Sequence, residues 1–373
     1  MHALSSLNGR KPYLVDKLRL VPDLIRSSAL ISAAAASVVV ADQDVNPPVS
    51  PDDSPVLDQL GTSAFPESRT LMQRMQRPLF LSLLQQAGAR SRKQESWMRS
   101  CAVFPSGNWL HSVPTCRAFQ ASSAEFQVML MQRLDLDIPL LAAVTDAPFC
   151  GMPVKSGVCG HPHDASIASG SHWHCQCPGS SNWPMHNAVR DIVGRCFQEA
   201  GVVTKYEMRG LYADSEARPA DIFVGPDRVT ALGTKDRAID FVVADPRGVD
   251  AVFLHNADKR ALAAAGIQEL KKVAQHEKRM EDQGLGLLNF EVVPFAFQSS
   301  GAWGVQGQLI WKELKVRLKA QKELLEAYQD GGHPTTWSAF TPYQWFPQCF
   351  SFAVARHSAC LVMIGIRQGF RCS

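Results

Sequence analysis

Residues 217–246 read ARPADIFVGPDRVTALGTKDRAIDFVVADP, and this stretch decides the fold. Three short runs rich in β-branched and aromatic residues, Asp221 to Val224, Arg228 to Leu232 and Ala238 to Ala244, are separated by Gly, Pro and Asp turns. Such runs predict adjoining strands of one sheet, and Val202 to Tyr206 adds another ahead of them. A charged helix from about Asp258 to Gln283 follows, then a strand from Phe290 to Phe297. Helical stretches around Gln306 to Tyr328 and Trp337 to Cys360 close the pattern. Strands, a long helix, another strand and more helices predict an α/β core, a mixed sheet flanked by helices.

Two aspartates in this stretch carry chemistry. Asp221 is followed by Ile222, Phe223 and Val224, and Asp240 by Phe241, Val242 and Val243, so each carboxylate falls at the edge of an apolar strand. An uncompensated charge there is costly without a cation. Carboxylates from neighbouring strands can hold a hard ion such as magnesium, and a nearby lysine can orient or activate an attacking water. Turn or strand-end aspartates are also common, so the pair alone is not specific. Glu199, at the end of the preceding helix, is a further carboxylate in the same region.

Just upstream, nine of the chain's cysteines and histidines crowd between Cys150 and His186, in CGMPVKSGVCGHPHDASIASGSHWHCQCPGSSNWPMH. Thiolate and imidazole suit zinc, and a segment so poor in large apolar residues cannot hold a fold by burial alone. Cys150, Cys159, His172, His174, Cys175 and Cys177 are the near candidates. Structural zinc takes four ligands, and the set chosen is Cys150, Cys159, His172 and Cys177, with His161 and His163 in the intervening loop. Cys175 and Cys177 are too close for easy bridging to each other and sit among histidines, which favours metal in a reducing compartment, nuclear or cytoplasmic.

The knuckle is followed by a helix from His186 to Ala200, closed by Gly201, with Val189, Ile192, Val193, Cys196 and Phe197 on its apolar face. Before it, Ser68 to Gly88 and Ala124 to Leu134 show helical spacing, while QDVNPPVSPDDSP ends the first part of the chain as a linker. The domains expected are a variable segment and linker over 1–57, a helical module over 58–148, the zinc knuckle over 149–186, and the α/β domain with its C-terminal helices over 187–373. The apolar run Ala29 to Ala41 is too short to span a bilayer, so no membrane partner is expected. With 38 basic and 35 acidic residues the net charge is only +3, which names no partner by itself. Trp109, Trp303, Trp337 and Trp345 are assigned to packing, and Cys101, Cys116, Cys196, Cys349, Cys360 and Cys372 to buried or free thiols.

From about Ala87 to Cys360 the chain resembles a known family. NWLHSVPT with AEFQVMLMQRLDLDIP, then VCGHPHD, SHWHCQC, MHNAVRDIV, ARPADIFV, AIDFVVADP, HEKRM and VVPFAFQSSGAWG occur in an order similar to the C-terminal region of non-LTR retrotransposon reverse transcriptases. In that family a zinc knuckle precedes a restriction-like endonuclease of the PD-(D/E)xK type. The resemblance implies Asp221 and Asp240 as catalytic acids holding magnesium and Lys278 as the catalytic lysine. It implies Cys159, His172 and Cys177 as knuckle ligands, with DNA as partner and RNA as the alternative.

The chain departs from the family in three places. Gly157 and Val158 stand where the first knuckle cysteine usually lies, so Cys150 substitutes. Met185 precedes His186 and Asn187 where the family has Arg-His-Asn. The step two residues beyond Asp240 reaches Val242, so the ammonium must come from the following helix, where Lys259, Lys271 and Lys272 compete with Lys278. Residues 1 to 86 are too few for polymerase fingers and palm, so any polymerase would be supplied by another chain. The activity implied is strand cleavage of DNA, and its rival is an inactive zinc-containing relic that only binds nucleic acid.

Overall fold

The alternation in AIDFVVA sends Ile239 and Phe241 to one face of a strand and Ala238 and Asp240 to the other. In the computed structural model this strand, β5 (Asp236–Ala244), lies inside a four-stranded mixed sheet. The residues described are 91–111, 120–138, 141, 150, 152–155, 157–162, 167, 169–175, 177–208, 220–225, 236–282, 290–329, 339 and 341–369. The expected linker, the helix at Ser68 to Gly88, the strand at Arg228 to Leu232 and Trp337 lie outside them.

The elements before the sheet are helices α1 (Arg92–Cys101) and α2 (Ser123–Arg133), a small hairpin of β1 (Pro153–Val154) with β2 (Gly157–Val158), and the single turn α3 (His172–Cys175). Then come α4 (Trp183–Glu199), β3 (Thr204–Tyr206), β4 (Ile222–Val224), β5, α5 (Ala263–Asp282) and β6 (Phe290–Gln298). Three helices close the chain: α6 (Val305–Ala320), α7 (Lys322–Gln329) and α8 (Pro342–Gly369). Sheet order is β3-β4-β5-β6, antiparallel except for the parallel β5–β6 pair, which α5 connects.

Local chemistry accounts for the termini. Ser91 caps α1 by accepting from the Gln94 amide, and α2 opens with a capping box between Ser122 and Glu125. Gly201 takes φ +73° to end α4, a conformation open to glycine at little cost. α4 begins at Trp183, three residues before the sequence expectation, because Pro184 fits the first helical turn. The expected helix from Gln306 to Tyr328 breaks at Gln321 into α6 and α7.

One face of the sheet carries the main core. Ile239, Phe241, Phe295 and Phe297 pack there with α4, α6 and α8, and Trp303 meets Phe350 edge-on at 5.1 Å between centroids. The expected boundaries near 148 and 186 do not divide this core: Trp109, Val128, Met129 and Trp173 belong to it, and residues 90–373 form one unit. α1, not foreseen in the sequence, is anchored by Arg92, which donates to both carboxylate oxygens of Asp258 at 2.6 and 3.0 Å. The apolar length of α8 would suffice to cross a membrane, yet over half of its most apolar window is buried against α4, α2 and the core.

On the opposite face α5 lies beside β5 and β6, and the alternation of β5 aims Asp240 at it. β4 pairs with β5 at Ile222↔Ile239, and the Asp221 amide donates to the Ile239 carbonyl at 2.9 Å. The ladder therefore sets the two aspartates side by side at one end of β4.

Candidate functional site

The first site is built by the β1–β2 hairpin and the short turn α3. Cys150 and Cys159 flank the hairpin, whose backbone pairs them closely: the Cys159 amide donates to the Met152 carbonyl, and the Gly160 amide to the Cys150 carbonyl. α3 supplies His172, and the Cys177 amide donates back to the His172 carbonyl at 2.8 Å. As a result the ligand atoms of Cys150, Cys159, His172 and Cys177 all lie within 4.8 Å of one another, the four side chains chosen from the sequence. The Cys150 and Cys177 sulfurs are 3.9 Å apart, and Cys159 Sγ is 3.4 Å from His172 Nε2.

Burial pushes the Cys150 thiol up and the Cys177 thiol up to about 12, so without a cation both are protonated. Hydrogen bonds from the backbone amides of Met152 and Gly179 work the other way, favouring thiolate, the metal-binding form. Three soft thiols and one imidazole, nearly enclosed and already supplied with amide donors, make a cluster that could hold a metal such as zinc. His161 stacks on His172 at 4.2 Å rather than joining the set. His163 lies outside the described residues, as do the side chains of His174 and Cys175. Trp173, beside the cluster, rests on Gly365 of α8, where an added Cβ would come within 2.3 Å of the indole.

The second site joins β4, β5, α4 and α5. Asp221 Oδ2 accepts from the Phe241 amide at 2.7 Å and lies 3.1 Å from His186 Nε2 on α4. Asp240 Oδ2 lies 2.8 Å from Lys272 Nζ and 3.0 Å from His276 Nε2 on α5. Burial opposes ionisation of Asp240, but His276 and Lys272 outweigh it and hold its carboxyl below the usual range. Burial likewise opposes the charged form of His186, but the hydrogen bond and charge of Asp221 outweigh it and raise the imidazole; Asp240 adds to the rise. One imidazole thus feels both carboxylates. Among the described residues the hydrogen bonds to the pair fall on their Oδ2 atoms.

Of the lysines weighed, Lys272 and not Lys278 is the one placed beside Asp240. Lys272 and His276 are four residues apart on α5 and share a face, whereas Lys278, two residues beyond His276, points elsewhere and is exposed. Glu199 belongs to the core: the Tyr328 hydroxyl donates to it at 3.0 Å. Arg218 and Pro219 lie outside the described residues. His186 and His276 were not assigned roles from the sequence, although both sit in the motifs MHNAVRDIV and HEKRM. The i, i+4 spacing of Lys272 and His276 was the available signal. Trp109, Trp303 and Trp345 are buried, in keeping with packing, and so are Cys101 and Cys196.

No protein-family model, curated protein or solved structure matches the chain.

Proposed function

We propose that this chain is a metal-dependent DNA endonuclease with a core of the PD-(D/E)xK type, derived from the C-terminal region of a non-LTR retroelement, with RNA as the alternative substrate. The observation that supports this reading is that Asp221 and Asp240 stand on neighbouring strands, Asp221 held by His186 and Asp240 by Lys272 and His276, with both carboxylates raising the His186 imidazole. Asp221 and Asp240 would hold magnesium, which when bound supplies Lewis-acid stabilisation of the charge that builds on the phosphate. The Cys150, Cys159, His172 and Cys177 cluster would hold zinc and brace the segment that leads into α4. The chain would act in the nucleus or cytoplasm, and not at a membrane.

In phosphodiester hydrolysis a water oxygen bonds to phosphorus as that water gives up a proton to solvent, one P–O ester bond breaks, and the leaving oxygen takes up a proton. The Phe241 amide and His186 orient the Asp221 carboxylate. Lys272 and His276 do the same for Asp240, and the ammonium places positive charge beside the scissile group. His186, whose imidazole Asp221 shifts toward the protonated form, would deliver the proton.

Incubating supercoiled plasmid with the protein and magnesium tests the reading. Open-circle product should form with wild type and fall by at least a hundredfold with Asp240→Ala, while equal yields from both proteins exclude it. A second reading has its own support: Lys272 and His276 already compensate Asp240, and His186 compensates Asp221, so the fold tolerates both acids with no cation. On that reading the chain is a zinc-containing nucleic-acid-binding relic, and it retains DNA without nicking it.

A further inference from the structure

The other tryptophans described, Trp97, Trp109, Trp173, Trp303, Trp311 and Trp345, are buried; Trp183 is 59% exposed. An indole left in water at the start of a helix forgoes the burial that tryptophan is otherwise used for. Its ring is nevertheless held in place. His186, one turn along α4, lies parallel to it at 5.3 Å between centroids and 5° between planes. His186 is itself fixed by Asp221 at 3.1 Å. One face of the indole is thus covered by the imidazole and the other opens to solvent, and that same imidazole meets the Asp221 carboxylate.

We propose that Trp183 is a stacking platform for an unpaired nucleobase, setting the strand against the carboxylate site; the inference rests on the nucleic-acid reading of that site. Stacking on an aromatic ring tolerates any base, since every base has a π face, and a ring already ordered by His186 loses little freedom on binding. The surroundings favour a nucleotide over an apolar partner. Trp183, His186 and Arg190 follow one another at i, i+3 and i+7 on one face of α4, so the ring is succeeded by an imidazole and a guanidinium. Arg190 is paired with Asp191 and Glu207 at 2.8 and 2.5 Å, so base stacking by Trp183 is the part of the contact the free protein leaves unmade.

The test is binding of fluorescent oligothymidine, and of the same oligomer with abasic sites, by the full zinc-loaded chain with no magnesium added. Trp183→Ala should weaken oligothymidine binding by about 5-fold to 100-fold, and Trp183→Phe by less. All three proteins should hold the abasic oligomer equally, with equal zinc content and melting temperature. Oligothymidine binding by Trp183→Ala equal to wild type overturns the proposal, as does an equal loss on the abasic oligomer. The two readings fail separately. A wild type that never nicks plasmid but shows base-dependent loss at Trp183 removes the nuclease and keeps the platform. Asp240-dependent nicking with binding indifferent to Trp183 removes the platform alone.

Discussion

Glu269 on α5 is 8% exposed and carries a carboxyl oxygen to the first turn of α6, where it accepts from the Gln306 amide at 3.1 Å. Gly304, which precedes α6, provides no side-chain cap, and an added Cβ there would come within 2.2 Å of Glu269 Oε1. Glu269 therefore stands in as the cap from another helix. Burial raises its pKa from 4.5 to about 7, while the Gln306 amide pulls it down. The folded protein binds this proton more tightly than the unfolded chain, so stability falls as pH rises from about 4.5 to about 7 and stays low above that. At 1.36 kcal/mol per unit the difference is on the order of 3.4 kcal/mol, and residual exposure reduces it to about 2 kcal/mol. Glu269→Gln keeps the acceptor without the charge. Urea unfolding of both proteins at pH 5 and pH 8 should show Glu269→Gln gaining about 2 kcal/mol on wild type between the two. Proton uptake by the cysteine cluster is common to both proteins and cancels. A difference between variant and wild type that is the same at both pH values, within about 0.5 kcal/mol, refutes the account of Glu269.

Other outcomes follow from the same geometry. Lys272→Met should lower plasmid nicking by on the order of a hundredfold, whereas Lys278→Met should change it less than about twofold; the reverse order in initial rates would return the role to Lys278. Cys177→Ser should abolish the bound metal measured by mass spectrometry, and in wild type the apparent affinity should weaken as pH falls, because protons compete for the thiolates. Gly365→Val should drive a side chain into Trp173, cost about 1–3 kcal/mol in urea unfolding and loosen metal retention, while Gly225→Ala, with nothing within 4 Å of the added Cβ, should leave both unchanged.

The sheet was legible because its strands are short runs of β-branched and aromatic residues set off by turns; Asp240, expected at a strand edge, instead sits in the middle of β5. The cysteine cluster was legible because thiols and imidazoles in an apolar-poor segment have few other uses. What escaped has physical reasons. α1 is polar and depends on Arg92 reaching Asp258, a contact 166 residues away that no local pattern encodes. Which lysine neighbours Asp240 was not legible because four lysines on or near one helix are equivalent by composition, and only the side of α5 turned to β5 selects among them. Trp183 passed unremarked because sequence does not show which of eight tryptophans lacks a core to enter.

The central claim is that Asp221 and Asp240 share one divalent ion. Manganese titration followed by electron paramagnetic resonance, on protein whose cysteine cluster is already filled with zinc, reads this without reference to turnover. The account predicts a bound manganese signal in wild type that disappears in both Asp221→Asn and Asp240→Asn. An unchanged signal in the two variants, or none in wild type at millimolar manganese, contradicts it.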